Sequence, residues 1–520
     1  MVSTLWGTCN PISYVLNFVS FPSKTSSQLT LSGSLSLEVF LYFSICQTLR
    51  VPRQSRRFTH DYYVPHLERR KICLINTKIL LQLACELLSE KCANIIFSLK
   101  EILLSPDFIS RNRRSDKDFT RQRKLPFHLL FSFLINFVKG SYQDELDKFF
   151  QAINGYPVAK RVVTKGALAK ARLKLKFEAF VELNRHLINL FEKVFTPKTW
   201  CGFRLVAGDS TTIRLPRIDE IAQHFGVWNV RQGRPCPMAR SSQLFDVLNK
   251  FSINAVIDPK SVNERDQATA LFTALPQNAL VLLDRGYPAF WLFKLILNLN
   301  AAFCARMPKS MLIVKELIKS QRKEIIISWA PPITSLRDCE QVGVDTNPLT
   351  LRIIRIDRDK EAPVFLATSL VDTVAYPYEL FNELYHYRWP IEEDYKTLKC
   401  WLELENFTAE SVQSIYQDFH AKIFSKNLTA ILSFPTRLEI EKVGVRRKYV
   451  HQINFAQALS KTKHVVVLLL QKPLRDIISL IKDLHRIFFR TTIAVRPGRK
   501  YPRNVRASER RFFPSYKPIC

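Results

Sequence analysis

The sequence predicts an α/β core flanked by helical regions. Three observations carry that prediction: strand-length apolar runs alternate with helical periods after Pro197, the segment before it is periodic only at helical spacing, and a second β-rich block interrupts the alternation at about 300–375. At 520 residues the chain exceeds what one hydrophobic core usually organises, so two or three domains are expected. With 47% apolar and 24% charged residues and only 13 Gly, the composition is that of a globular protein, not of a disordered or collagen-like chain. No apolar run reaches the roughly 18 residues of a membrane span. The 11 Cys form no C-x-x-C pair and have no His at zinc-ligand spacing, so they read as reduced thiols of a cytoplasmic protein.

Taken in order, residues 1–104 form an N-terminal extension of unknown role: about 60 apolar, Ser/Thr-rich residues without the basic start of a signal peptide, then a helical pattern from Ile72 to Leu104. A basic linker, Ser110 to Lys124, opens a helical domain spanning 105–195. Its expected helices are Leu125 to Val138, Tyr142 to Ile153 capped by Ser141, and Lys165 to Leu175 capped by Thr164. The last carries Lys165, Lys170, Arg172 and Lys174 around a small apolar stripe, which suits a DNA-binding helix and equally an ordinary amphipathic helix with snorkelling lysines. The α/β domain covers 196–436, with strands expected at Phe203 to Thr212, Gln243 to Val256 and Ala279 to Leu283, and helices at Asn263 to Thr273 and Phe290 to Leu299. Its second β-rich block (Glu324 to Trp329, Leu349 to Ile356, Val364 to Leu370) reads as an insertion. Residues 437–520 form a helical C-terminal region whose Arg496 to Lys517 tail is rich in Arg and Lys.

Charge narrows the function. Lys and Arg number 77 against 46 Asp and Glu, a formal balance of +31 spread over most of the chain, and such a field favours nucleic acid as the partner. An RNA-binding module is disfavoured, because no aromatic-basic RNP-like string is present.

The residues that can carry chemistry sit where apolar runs end. Asp209 follows Leu205-Val206-Ala207-Gly208 and Asp284 follows Ala279-Leu280-Val281-Leu282-Leu283, so both carboxylates emerge from buried strands. A lone strand-end Asp is more often a turn former. Two carboxylates on neighbouring strands, however, resist ionising together without a cation, and hard divalent ions prefer oxygen ligands. Farther on, Tyr385, Arg388, Glu392 and Lys399 stand at offsets that fall within an arc of about 60° on one helix. Leu384, Tyr387, Ile391, Tyr395, Leu398 and Leu402 form an adjoining core-facing stripe, and Pro390 is expected to kink or restart the helix.

These four spaced residues resemble the Y-x-x-R-x-x-x-E-x-x-x-x-x-x-K signature of bacterial insertion-sequence transposases of the IS-four family. Gly208-Asp209-Ser210-Thr211 and Leu283-Asp284-Arg285-Gly286-Tyr287 likewise resemble the contexts of the first two acidic residues of that family's DDE triad, and the likeness spans about residues 105–510. The resemblance implies an RNase-H-like catalytic core, with Asp209, Asp284 and Glu392 holding two Mg²⁺ ions, Mn²⁺ substituting, about 3.5–4 Å apart. It implies that Tyr385, Arg388 and Lys399 bind phosphates, and that the partners are the inverted-repeat ends of an element and its target DNA, paired by a homodimer in the nucleoid. A flipped base could stack on an aromatic such as Trp291. Two rivals stand beside this reading: a nuclease of the same fold that cuts without joining, and an inactive DNA-binding protein from a decayed element.

Overall fold

The computed structural model describes residues 86–496 apart from 137, 230–234, 359–360, 408–409 and 445–447. The expectations for residues 1–85 and for the basic tail after Arg496 lie outside the described residues. The described residues begin with six helices: α1 (86–104), α2 (Pro106–Asn112), α3 (Phe127–Leu134), α4 (Tyr142–Asn154), α5 (Lys165–Arg172) and α6 (Glu178–Val194). Local chemistry explains their ends. Thr164 caps α5 by accepting from the Ala167 N–H, and Gly155 closes α4 in the left-handed conformation at φ 65°. Ser141, expected as the cap of α4, makes no such bond. Glu145 instead reaches back from the first turn of the helix, its carboxylate accepting from the Lys139 and Gly140 N–H groups that precede it.

The α/β region follows as β1 (Arg204–Arg214), α7 (Asp219–Phe225), β2 (Val227–Trp228), β3 (Cys236–Asp246), β4 (Phe251–Asp258), α8 (Glu264–Phe272), β5 (Ala279–Leu283), α9 (Phe290–Asn298) and β6 (Ala302–Met307). The run expected as one strand from Gln243 to Val256 is thus two, joined by a tight turn with Lys250 at φ 67°. Next come α10 (Leu312–Ser320), β7 (Glu324–Trp329), α11 (Ile333–Val342), β8 (Leu349–Arg358) and β9 (Glu361–Thr368). Among the described residues nine strands share one mixed sheet, in which β1, β5 and β6 run parallel while β3 pairs antiparallel with β1 and with β4. The later strands are not a separate block. They extend the same sheet through antiparallel β6–β9, β9–β8 and β8–β7 pairings, and β6, placed within the expected insertion, is a central strand.

The described residues close with α12 (Leu380–His386), α13 (Pro390–Lys396), a π turn (Thr397–Trp401), α14 (Val412–Leu432), α15 (Phe434–Gly444), a short pair β10 (His451–Gln452) and β11 (Ile493–Ala494), and between those strands α16 (Phe455–Gln471) and α17 (Leu474–Arg490). Alternate residues of β5 serve two cores. Leu280 and Leu282 join Leu384, Ile391 and Tyr395 on one face, while Val281 and Leu283 join residues of α8 and α9 on the other. A strand covered on both faces reads as an unbroken apolar run, which is why β5 is visible in the sequence.

Helices from the two ends of the described residues share a third core. Cys92, Ile96 and Leu99 of α1 and Phe131 of α3 cluster with Phe424 of α14, Val466 of α16 and Phe488 of α17. Lys100 donates to the carbonyls of Gln471 and Lys472, and the Ser89 hydroxyl meets His485 at 3.0 Å. Residues 86–104 therefore belong to the helical body and not to an extension, and the helices after 437 complete that body instead of standing apart. Segment-by-segment periodicity shows that a helix has an apolar face, not which distant helix covers it.

Candidate active site

The β1–β5 register places Gly208 opposite Leu283, so Asp209 and Asp284 are the next residues on two adjacent parallel strands. Side chains alternate along a strand, so Asp209 continues the face of Leu205 and Ala207, and Asp284 that of Leu280 and Leu282. Both emerge on the face covered by α12 and α13. There is little slack: a Cβ on Gly208 would lie 3.2 Å from Leu283 Cδ2. Gly208→Val is therefore expected to displace Leu283 and Asp284 and to destabilise the protein by about 1–3 kcal/mol, read as a lowered unfolding temperature.

Pro390 restarts the helix. Tyr385 lies in α12, Arg388 in the intervening turn, Glu392 in the first turn of α13 and Lys399 in the π turn, so the expected single helical face is broken. The four still converge. The Tyr385 hydroxyl donates to Asp284 at 3.3 Å. Arg388, almost fully buried, donates to Glu392 at 2.5 Å and lies 3.7 Å from Asp209. Lys399 donates to Thr211 Oγ1 and the Thr212 carbonyl, both at 2.7 Å, two and three residues beyond Asp209, and burial lowers its pKa.

Asp209 sits where its charge is electrostatically disfavoured. Burial first, then the like charges of Asp284 and Glu392, push its pKa up to about 6, against the opposing Ser210 N–H and Arg388. Among the described residues no three carboxylate, imidazole or thiol groups cluster tightly enough to share one ion, and Arg388 bridges Asp209 and Glu392 instead. The donor set nevertheless fits a hard divalent cation: three carboxylates repel one another across a part-buried space, and a cation is what would relieve them.

Two further groups escaped sequence reasoning. Arg306 of β6 lies 3.8 Å from Asp284, and an arginine inside the apolar run Ala302–Met307 was the signal available. Glu264 at the start of α8 accepts from the Ser210 hydroxyl at 2.5 Å and pairs with Arg240 at 3.4 Å; nothing in its neighbourhood announced it. Trp291 is not at the site. It is buried among Phe290, Phe293 and Ile296 in the core under α9, and the exposed indoles nearest the signature are Trp389 and Trp401. Arg172 also departs from expectation: it is buried and spent on α14, whereas Lys165 and Lys170 are exposed and Lys174 is half-buried beside Asp118.

Residues 200–428, which contain all three carboxylates, match the family model described as the transposase DDE domain. The chain is a DDE transposase, a metal-dependent enzyme of DNA transposition. It is similar to the transposase InsG for insertion sequence element IS4 of Escherichia coli (strain K12), at 22% identity over 421 residues, 78% of this chain and 90% of that protein. A cryo-EM structure of a piggyBac transposase synaptic complex with hairpin DNA aligns with 74% of this chain and 85% of that one, at TM-score 0.40 and 12% identity. No helix among the described residues is long and apolar enough to cross a membrane.

Proposed function

We propose that the protein is an insertion-sequence transposase of the IS-four type, which binds the inverted-repeat ends of its element, cuts them and joins them to target DNA. The observation that carries this reading is that Asp209 and Asp284 directly follow the paired Gly208 and Leu283 of adjacent parallel strands, beneath the helix that bears Glu392. The strand order β4–β3–β1–β5–β6, with only β1, β5 and β6 parallel, supports an RNase-H-like core.

Asp209, Asp284 and Glu392 would hold two Mg²⁺ ions, or Mn²⁺ in their place. Such ions, when bound, activate water or a 3′-hydroxyl and stabilise the leaving oxygen. The protein's own groups do the rest. Arg388, released from Asp209 and Glu392, presents a guanidinium fork to a phosphate beside the scissile bond. Tyr385, whose pKa is raised by burial and by Asp284, stays a neutral phenol and donates. Lys399 spends two of its three N–H donors on β1 and keeps one for DNA. Arg306 is placed to replace Asp284 by a phosphate as its partner. Lys165, Lys170 and Lys174 beside the basic linker provide a surface for the duplex, and pairing two ends calls for a homodimer acting at the nucleoid. The exposed linker arginines Arg121 and Arg123 widen that surface.

The test is incubation of the protein with Mg²⁺ or Mn²⁺ and labelled DNA carrying the repeats that flank its gene, beside Asp284→Asn. Metal-dependent nicking at the repeat ends, absent in the variant, followed by joining to a target plasmid, is expected. Binding without cutting under either metal would overturn the reading in favour of a decayed element, and cutting without joining in favour of a nuclease.

A further inference from the structure

Two residues beyond Glu392, about 200° around the helix, Asp394 points away from the site and into the protein. It is 7% exposed, and its Oδ2 accepts from Lys426 Nζ of α14 at 2.5 Å and from Gln243 Nε2 of β3 at 2.9 Å. Lys426, fully buried, also donates to Ser252 Oγ of β4 at 2.7 Å, and Ser252 donates on to Gln243 Oε1 at 2.7 Å. The result is a closed ring of four buried polar side chains from four elements. One member of it, Gln243, is the cross-strand partner of Asp209. The next residue of α13 adds a second tether, since the Tyr395 hydroxyl donates to the Asp209 carbonyl at 2.7 Å.

For stability alone this is a poor arrangement, because a buried ion pair can often be exchanged for apolar side chains of similar volume with no loss. What it supplies is direction. Ile391 and Tyr395 pack α13 onto the sheet, but apolar contacts resist sliding and rotation weakly, whereas charge-assisted hydrogen bonds hold donor and acceptor within a few tenths of an ångström. A short helix that begins afresh at Pro390 needs such a reference.

We propose that Lys426, acting through Asp394, is a positioning residue that sets the rotation of α13 and so keeps Glu392 in register with Asp209 and Asp284. The inference rests on the reading of those three carboxylates as the metal-binding set. The experiment is a titration of the full chain with Mn²⁺ alone, followed by electron paramagnetic resonance, with unfolding temperatures measured in parallel. Glu392→Gln is expected to weaken Mn²⁺ binding at least about tenfold, and so is the double variant Lys426→Met with Asp394→Leu, although its apolar refill returns the unfolding temperature close to that of the parent. In end cleavage the double variant lowers kcat and leaves KM for the end DNA unchanged. Ser252→Ala, which opens one side of the ring without stranding a charge, serves if the double variant does not fold, with a weakening of about two- to threefold at an unchanged unfolding temperature. Parent-like Mn²⁺ affinity in the refilled or opened ring, with Glu392→Gln impaired, would show the ring to be packing only. Unchanged binding in Glu392→Gln would overturn the carboxylate reading and this inference with it.

Discussion

Asp209→Asn is expected to abolish metal-dependent cleavage and, in the same protein, to raise the stability of the metal-free state. Removal of one of the carboxylates proposed to hold the metal should cost at least about a thousandfold in rate, roughly 4 kcal/mol of transition-state stabilisation. The stability gain follows from the sign of the pKa shift. Asp209 is raised from its ordinary 3.8 to about 6, so the folded state prefers it protonated. Its contribution to stability is fully present below pH 3.8 and is lost as pH rises through about 6. At pH 7.5 the ionised side chain, 23% exposed, burdens the fold by about 1–2 kcal/mol after allowance for screening. Asparagine carries no charge at any pH and its Oδ1 still accepts from the Ser210 N–H, which it does now at 2.8 Å. Thermal unfolding without metal should place the variant about 2–4 °C above the parent at pH 7.5 and level with it at pH 4. Added Mn²⁺ should then reverse the order at pH 7.5, because on the proposed reading the variant has lost one of the carboxylates that hold the ion. A variant no more stable than the parent at pH 7.5 would mean that burial and the neighbouring carboxylates do not penalise the Asp209 charge.

What could be read from the sequence is what is encoded locally. The β5 run has its structural bounds at Ala279 and Leu283 because both faces of the strand are covered, and Asp209 and Asp284 stood out because a charge ends an apolar run. Pro390 likewise marked the restart of the helix, since proline is tolerated at a helix's first position. The rest depends on partners distant in sequence. Nothing near Cys92 or Leu99 shows that α16 and α17 cover them, and nothing in Glu324–Trp329 shows that β7 extends the central sheet and does not start a new one. The ring around Lys426 is the extreme case: Gln243, Ser252, Asp394 and Lys426 are each ordinary polar residues until the fold closes them on one another.

Arg172 shows the same limit, and its substitution should separate a structural cation from a DNA-facing one. In the sequence it stands among Lys165, Lys170 and Lys174 with nothing to set it apart. In the fold its Nε donates to Gln417 Oε1 at 2.9 Å, and Nη2 donates to Asp418 Oδ1 at 2.8 Å and to the Ser414 carbonyl at 3.1 Å. Nη1 reaches the Tyr142 hydroxyl. Gln417 returns the bond to the carbonyls of Arg172 and Leu175, so one guanidinium fastens α4 and α5 to α14, the helix that also carries Lys426. Arg172→Ala strands Asp418 and Gln417 against a void and is expected to cost about 3–5 kcal/mol, lowering the unfolding temperature by about 5 °C or more. Below that transition its affinity for end DNA should match the parent's. Lys165→Ala and Lys170→Ala should do the reverse: unfolding temperature unchanged, binding weaker, and the slope of log K against log salt shallower by about 0.9 for each phosphate no longer neutralised. Melting curves and binding isotherms at several salt concentrations distinguish the two patterns. An Arg172→Ala protein that melts like the parent yet loses DNA would mean that α5 leaves α14 when it binds the duplex, and that the guanidinium changes partners in the act.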